Sequence, residues 1–280
     1  MSAQNGRTKI IAEACANHLG ESKLQEEMIW AAAEAGADYI KFQSWTAASN
    51  TRGQSDAMLP FELSDDDHFR LREVAQRARI GFSTTVFDRQ RTPFVAKLGL
   101  DFIKIASPDC GSSGLLSDVA ARFPLVILST GMSEEAEVRG AAQVVRSGGA
   151  RLALLHCMYP LVDGAYHLRR MEWLREHASE VGLSDHSAGD DLRASKLAIA
   201  LGADWIERHF ILSRSQPAKD AAVSIDPAGL KELVEAAKDP RPHLALADEF
   251  PELLGDEQPE LSGKVTGLRE FYCGRWGDNR

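Results

Sequence analysis

The chain has 280 residues, of which 44% are hydrophobic and 26% are charged, a composition that suits a globular protein with a substantial core. Its formal net charge of −9 argues against general binding to nucleic acid or to an anionic membrane, although a local pocket can still hold an anionic small molecule. No apolar run approaches the roughly 20 residues of a membrane span, residues 1–8 lack the apolar core of a signal peptide, and the four cysteines lack metal-finger spacing. We therefore expect a cytoplasmic protein with small-molecule partners.

Short apolar strands alternate with helical stretches along most of the chain. Residues 9–13 are a predicted strand, and the helix over residues 22–35 has Ser22 as a candidate N-cap and Gly36 as its stop. The other predicted strands cover residues 39–43, 80–84, 102–105, 125–129, 152–156 and two segments that end near His186 and His209. The other predicted helices cover residues 65–78, 91–98, 114–121, 134–147, 167–177, 190–201 and 227–237.

Eight strand–helix repeats predict an α/β fold, a (β/α)8 TIM barrel with a short C-terminal extension. A doubly wound sheet is the alternative, and the absence of a GxGxxG turn makes it less favoured. We assign residues 1–238 to the barrel and residues 239–280 to an extension or lid, which is too short for a second domain with its own core. The aromatic and basic residues of its last part, 271–276, suggest docking, either on the barrel as a lid or on a partner subunit. The alternative is that Phe271 and Trp276 only pack on the outer surface of the barrel.

Polar side chains interrupt the carboxyl end of every predicted strand. In a barrel these ends share one rim, and the active sites of this fold lie there. The residues concerned are Glu13, Lys41, Gln43, Thr84, Thr85, Lys104, Ser107, Ser129, Thr130, His156, Ser184, Asp185, His186, Glu207 and His209.

Two histidines end neighbouring strands. Because strand–helix–strand spacing makes parallel neighbours, His186 and His209 should emerge side by side, with the carboxylates of Asp185 and Glu207 beside the two rings. Neutral imidazole is a good ligand for divalent metals. The alternative is that each ring is a hydrogen-bonded core histidine.

Lysines and hydroxyl groups indicate an anion site at the same rim. Lys41 and Lys104 lie between apolar neighbours, and residues 129–132 precede a predicted helix whose first N–H groups can bind an anion. Phosphate or carboxylate would suit this set. The alternatives are lysines that extend to solvent and serines that serve as turns or caps. Asp220, in the loop after the last strand, could reach over the mouth.

Seven stretches in order resemble the sialic acid synthase family. They are IAEACANH (11–18), ADYIKFQ (37–43), KIAS (104–107), LSTGMS (128–133), LHC (155–157), GLSDHS (182–187) and ERHF (207–210). The resemblance covers residues 9–237 and implies that C3 of phosphoenolpyruvate attacks a sugar-derived aldehyde. Water then adds at C2 and phosphate leaves with cleavage of the C–O bond, which gives a 3-deoxy-2-keto acid.

The resemblance also implies roles for individual residues. Phosphoenolpyruvate would be bound by Lys41, Thr85, Lys104, Ser107, Ser129 and Ser184. Glu13, Lys41 and Asp220 would be catalytic, while Gln43, Tyr159 and Asp220 would face the acceptor. His186 and His209 would hold a divalent metal, Mn²⁺ or Mg²⁺. A homodimer is expected.

Three departures from the family concern the acceptor. Only Met158 separates Cys157 from Tyr159, where the family has extra residues, and Pro108 follows Ser107 in place of an acidic residue. The tail is also too short for the family's antifreeze-like domain. The residues expected to bind phosphoenolpyruvate thus match the family pattern better than the residues expected to bind the aldehyde. Two other functions stay open: a Schiff-base aldolase acting through Lys41 or Lys104, and a non-catalytic ligand-binding barrel.

Overall fold

The structure, a computed structural model, describes residues 6–49, 55–158, 166–255 and 279. Eight parallel strands follow one another in chain order, and the last pairs with the first, so the sheet closes into a barrel. The predicted (β/α)8 TIM barrel is confirmed. The strands are β1 Lys9–Glu13, β2 Tyr39–Ser44, β3 Gly81–Val86, β4 Ile103–Ile105, β5 Leu125–Ser129, β6 Arg151–Cys157, β7 Glu180–Asp185 and β8 Trp205–His209.

Helices surround the sheet. They are α1 Ser22–Ala35, α2 Ser55–Met58, α3 Asp65–Ala78, α4 Thr92–Val95, α5 Ser113–Ala120, α6 Glu135–Ser147, α7 Arg170–Arg175, α8 Arg193–Ala200, α9 Pro227–Lys238 and α10 Leu246–Glu249. Three predicted helices are shorter than expected. Residues 91–98 divide into α4 and a 3-10 turn, Ala96–Leu98, while α7 and α8 each lose residues at both ends.

Local signals explain where the longer helices begin and end. Gly36 ends α1 with a φ of 88°, a left-handed conformation that glycine adopts without strain. The Ser64 hydroxyl accepts a hydrogen bond from the Asp67 N–H, which makes a capping box for α3. Ser22 is not the N-cap that we predicted. It is the first helical residue of α1, and the side chain of Glu21 at the cap position makes no capping bond.

The barrel interior has an apolar floor. Seven buried side chains fill its amino-terminal half, namely Ile11, Phe102, Leu125, Ile127, Ala153, Leu155 and Trp205. Side chains in a strand point to the same face at every second position. The inward residue that follows each floor residue is therefore two positions later in the chain and closer to the mouth. Glu13 follows Ile11 in this way, and Glu207 follows Trp205. The carboxyl-terminal half of the interior is therefore polar.

Outside the sheet, the helices bury one continuous core. It includes Met28 of α1, Leu71 of α3, Val138 of α6 and Leu230 of α9, all without solvent exposure. Leu253 of the C-terminal extension joins this core, and its carbonyl accepts a hydrogen bond from Leu168 N–H. At least this part of the extension packs on the barrel. Residues 271–276 lie outside the described residues, so their predicted docking stays a prediction. None of the described helices combines the length and apolar character needed to cross a membrane.

Candidate active site

A layer of polar side chains lies above the apolar floor, and we call it the polar layer. It consists of Glu13, Lys41, Thr85, Lys104, Ser129, Ser184 and Glu207, which are all buried. Strand register brings them together, because Glu13 stands beside Lys41 and His209, and Thr85 beside Lys104. Six of these seven were predicted site residues. The sequence therefore located most of this layer correctly, and their assigned roles stay predictions.

Lys41 is 2% exposed and is held by three partners. Its Nζ donates to Thr85 Oγ1 at 2.6 Å, forms an ion pair with Glu13, and lies 3.7 Å from Glu207 Oε2. Burial works against the ammonium charge, but Glu13 and Glu207 outweigh it and raise the pKa of Lys41. Lys41 is therefore a fixed positive charge inside the barrel.

Lys104 carries the second buried ammonium group. Its Nζ donates to Ser129 Oγ at 2.6 Å and to the Ile105 carbonyl at 2.9 Å, and it lies 3.9 Å from Glu207 Oε1. Burial, together with the charge of Lys41, lowers the pKa of Lys104, although Glu207 opposes the shift. This lysine gives up its proton more easily than a surface lysine does.

Glu207 links the two lysines. Ser184 Oγ donates to its Oε1 at 2.9 Å. Despite burial, which acts in the opposite direction, Lys104 and Lys41 lower the pKa of Glu207 to about 2. Burial raises the pKa of Glu13 to about 7, even though Lys41 acts against the shift. Our sequence analysis placed Glu207 at the rim beside the histidines and assigned it no substrate role, yet it lies near both lysines.

His186 and His209 meet at the mouth, as predicted. Their Nε2 atoms are 3.3 Å apart. Burial and the adjacent His186 lower the pKa of His209 to about 3, so the ring is neutral near pH 7, which is the form that binds metal. Among the described residues, His209 Nδ1 is buried without a hydrogen-bond partner. This convergence of ring nitrogens fits a divalent ion.

Cys15 and Asp220 lie next to this pair. One ligand atom each from Cys15, His209 and Asp220 lies within 4.8 Å of the other two. Gln43 is close by, and its Nε2 donates to Cys15 Sγ at 3.1 Å and to Glu13 Oε1 at 3.4 Å. The structure thus brings Gln43 and Asp220 to the mouth, as predicted. Sequence analysis missed Cys15, although it belongs to the stretch IAEACANH.

Ser107 lies at the rim, in the loop after β4. Its Oγ accepts a hydrogen bond from Gly131 N–H at 3.0 Å. A Cβ at Gly131 would come within 2.9 Å of Ser107 Oγ and of the Cys157 carbonyl, so this close approach requires glycine. Tyr159, which we expected to face the acceptor, lies outside the described residues.

Two expectations about this rim are wrong. Asp185 does not lie beside the histidine rings, because alternation along β7 turns its side chain away from the barrel interior. Outside the sheet, its Oδ2 accepts hydrogen bonds from Arg208 Nη1 at 2.5 Å and from Ser195 Oγ at 2.5 Å. The start of α6 is not an anion cradle either. Its first turn carries Glu135 and Glu137, and Glu134 and Glu137 cap it reciprocally, so acidic groups already occupy the positive end of the helix dipole.

Known proteins resemble this chain over most of its length. The chain is 34% identical over 267 residues to an N,N'-diacetyllegionaminic acid synthase of Legionella pneumophila, covering 86% of this chain and 74% of that protein. It is 30% identical over 290 residues to a pseudaminic acid synthase of Helicobacter pylori, covering 95% and 81%.

Solved structures match over a similar extent. An N-acetylneuraminic acid synthetase from Leptospira borgpetersenii, crystallised with citrate, superposes with a TM-score of 0.80 at 28% identity, covering 97% of this chain and 94% of that one. A 3-deoxy-D-arabino-heptulosonate 7-phosphate synthase from Thermotoga maritima shares the fold, with a TM-score of 0.66 at 20% identity over 88% of each chain. The family model described as the NeuB family matches residues 28–245. The chain therefore belongs to the NeuB family.

Proposed function

We propose that this protein condenses phosphoenolpyruvate with a sugar-type aldehyde and releases a 3-deoxy-2-keto acid and phosphate. The supporting observation is the joint placement, in one barrel mouth, of two buried lysines with hydroxyl partners and of two convergent histidines. The first group suits a small molecule with two anionic groups. The second suits a metal that activates an aldehyde.

The polar layer provides binding for the phosphate and carboxylate of phosphoenolpyruvate. Without substrate, Glu207 and Glu13 are the counter-ions of Lys41 and Lys104. A buried ammonium group is stable when anionic groups surround it. The N–H donors of Lys41 and Lys104 that the two carboxylates leave free can therefore bind phosphate and carboxylate oxygens of the substrate. Thr85, Ser129, Ser184 and Ser107 supply hydroxyl groups around the same space.

The histidine pair would hold a divalent ion at the acceptor side. When bound there, the ion supplies Lewis-acid polarisation of the aldehyde carbonyl. This chain's own residues would do the remaining work, with Gln43 and Asp220 lying where the acceptor would enter. Tyr159 completes the proposed acceptor set.

The proposed reaction forms one C–C bond and breaks one C–O bond. C3 of phosphoenolpyruvate attacks the aldehyde carbon, whose oxygen gains a proton, and positive charge develops at C2. Glu207 and Glu13 lie in the polar layer, where carboxylates can stabilise that charge. Water adds at C2 and gives one proton to Glu13. The bond from C2 to the phosphate oxygen then breaks, the electron pair leaves with the phosphate, and the proton of the new C2 hydroxyl passes to the phosphate as the keto group forms. Phosphate and the keto acid are released.

A phosphate-release screen tests this function. Phosphoenolpyruvate is combined with a panel of N-acetylated aldoses, because relatives are named after N-acetylated products. The assay runs with and without Mn²⁺ and measures phosphate and 3-deoxy-2-keto acid together. We expect equal amounts of both with at least one aldose. Phosphate without keto acid, or neither product with any aldose, would contradict the proposal.

The lowered pKa of Lys104 favours one other function, a Schiff-base aldolase. Borohydride reduction in the presence of pyruvate separates the two. A Schiff base would leave a covalent adduct on Lys104, which mass spectrometry detects, whereas the proposed condensation leaves the enzyme unmodified.

A further inference from the structure

We propose that the thiolate of Cys15 and the carboxylate of Asp220 are metal ligands together with His209, so that the site takes a thiolate-binding transition metal such as Zn²⁺ or Fe²⁺ rather than Mg²⁺. The ion then lies on the Nδ1 side of the His209 ring, and His186, whose Nε2 is 3.3 Å from the opposite nitrogen of that ring, orients it. This inference rests on the proposed function only in that an ion is placed at the barrel mouth. It concerns which donors hold that ion and which class of ion they select.

The backbone presents Cys15 to the mouth in an unusual conformation. Cys15 lies two residues after the end of β1 with a φ of 46°, a left-handed region that non-glycine residues rarely adopt. Non-glycine residues in such conformations cluster at functional sites, where the surrounding structure holds them.

Asn17 fixes the Cys15 loop against the loop that follows β8. Its Nδ2 donates to the Phe210 carbonyl at 3.0 Å, and its Oδ1 accepts from Asp220 N–H at 3.2 Å. Asn17 is fully buried. Cys15 and Asp220 are 205 residues apart in the chain, yet Cys15 Sγ lies 3.1 Å from Asp220 Oδ2. The two donors are therefore held together by buried structure.

His209 completes a group with three kinds of donor atom. Its Nδ1 lies 4.0 Å from Asp220 Oδ2, and one ligand atom from each of the three residues lies within 4.8 Å of the others. Within the described part of the chain, this Nδ1 is buried and has no hydrogen-bond partner. A buried nitrogen without a partner costs free energy, which an ion would recover.

Gln43 supports the sulfur from the other side. Its Nε2 donates to Cys15 Sγ, and Trp45 Nε1 donates to its Oε1 at 3.3 Å, which fixes the orientation of the amide. This N–H donor orients the sulfur as a ligand. Burial and the neighbouring carboxylates of Asp220 and Glu13 raise the pKa of the Cys15 thiol, so the thiolate needs a bound cation to form. Metal binding would release the thiol proton that now points to Asp220.

This mixture of donors determines which class of ion fits. Mg²⁺ prefers six oxygen ligands in an octahedron, whereas thiolate and imidazole ligands suit Zn²⁺ and Fe²⁺. A site with sulfur, nitrogen and oxygen donors should therefore discriminate against Mg²⁺. Among the described residues, Cys157 offers a competing sulfur near the pair, with its Sγ 3.7 Å from His186 Nδ1.

Titration of the full-length protein with Co²⁺ tests the ligand set by absorption spectroscopy and calorimetry. We expect a near-ultraviolet sulfur-to-cobalt charge-transfer band in the wild type and in Cys157→Ser. Cys15→Ser should lose the band and bind Co²⁺ about 10- to 100-fold more weakly. Asp220→Asn should keep the band and weaken affinity, and Mg²⁺ should not displace Co²⁺. Circular dichroism verifies that each variant is folded.

Three results would overturn the inference. They are a bound Co²⁺ without a sulfur band in the wild type, a band that survives in Cys15→Ser, and the absence of Co²⁺ binding. Phosphoenolpyruvate binding, measured by calorimetry on the same samples, separates this failure from failure of the proposed function. If the substrate binds and the sulfur band is missing, only the ligand assignment is wrong.

Discussion

Lys104 is a buried positive charge that we expect to bind phosphoenolpyruvate. Its ammonium group is 2% exposed, it lies within hydrogen-bond distance of Ser129, and Glu207 is its nearest carboxylate. Because a charge-assisted hydrogen bond contributes about 1.5–3 kcal/mol, we expect Lys104→Met to raise the dissociation constant for phosphoenolpyruvate about 10- to 100-fold. Calorimetry measures this constant directly. The exposed Lys97, changed to Met, is the matched control, and equal affinities in the two variants would contradict a binding role for Lys104.

His186 and His209 are the residues on which metal dependence should rest. We expect His186→Ala and His209→Ala each to abolish metal-stimulated turnover, because each variant removes one of the two nitrogens that meet at 3.3 Å. Phosphoenolpyruvate binding should persist, since the lysines lie on other strands. His243→Ala, in the C-terminal extension, is the control. If either active-site variant keeps wild-type metal affinity, the histidine pair is not the metal site.

At the scale of elements, the loops after β3 and β4 are joined by the penultimate residue of the chain. Asn279 is 2% exposed, its Nδ2 donates to the Phe87 carbonyl at 2.7 Å and to Asp109 Oδ1 at 3.1 Å, and its Oδ1 accepts from Arg89 N–H at 3.1 Å. Asp109 is two residues beyond Ser107. Asn279 therefore holds the rim that carries a proposed substrate ligand.

Asn279→Ala tests whether this contact matters. The variant removes three hydrogen bonds from a buried junction, so we expect the free energy of unfolding to fall by about 1–3 kcal/mol. Denaturant unfolding measures the change. Asn279→Asp is a useful companion, because it places a second carboxylate against Asp109 and should destabilise at least as much. A variant with wild-type stability would mean that the chain end is not fastened there.

Asp109 gives this junction a pH dependence. Burial raises the pKa of its carboxyl from 3.8 to about 6, although Ser112 and Asn279 donate to it. The folded protein holds this proton more tightly than the unfolded chain does. The free energy of unfolding therefore falls as the pH rises from about 4 to about 6, in total by roughly 3 kcal/mol.

The isosteric variant Asp109→Asn should remove that cost. It keeps an acceptor for Ser112 and Asn279, so we expect it to be about 1–3 kcal/mol more stable than the wild type at pH 8 and no more stable at pH 4. Urea unfolding at the two pH values gives the difference. A stability difference that does not change with pH would contradict a buried, ionised Asp109.

For the whole molecule, alternation along the sequence predicted the barrel because each strand and helix carries its own local signal. The same alternation can tell inward from outward positions. Glu207 stands two residues after the floor residue Trp205 and points inward, whereas Asp185 follows Ser184 and points outward to Arg208. If the two-residue period is applied to each strand, it predicts that Glu207 lies inside the barrel and that Asp185 does not.

Other features depend on loops that meet only in the folded chain. Cys15 reaches Asp220 across 205 residues, and Asn279 reaches Asp109 across 170. No local pattern encodes such contacts. The homodimer and the cytoplasmic location are also properties beyond one chain's fold, and they stay predictions.

The fate of the bridging oxygen of phosphoenolpyruvate tests the central claim most directly. The substrate is labelled with ¹⁸O between C2 and phosphorus and is incubated with the protein, a divalent metal and an accepted aldose, and both products are examined by mass spectrometry. Because water is proposed to add at C2 before the C–O bond breaks, we predict that the label appears in phosphate and that the keto oxygen comes from water. Label retained in the keto acid would show cleavage of the P–O bond and would contradict the proposed reaction.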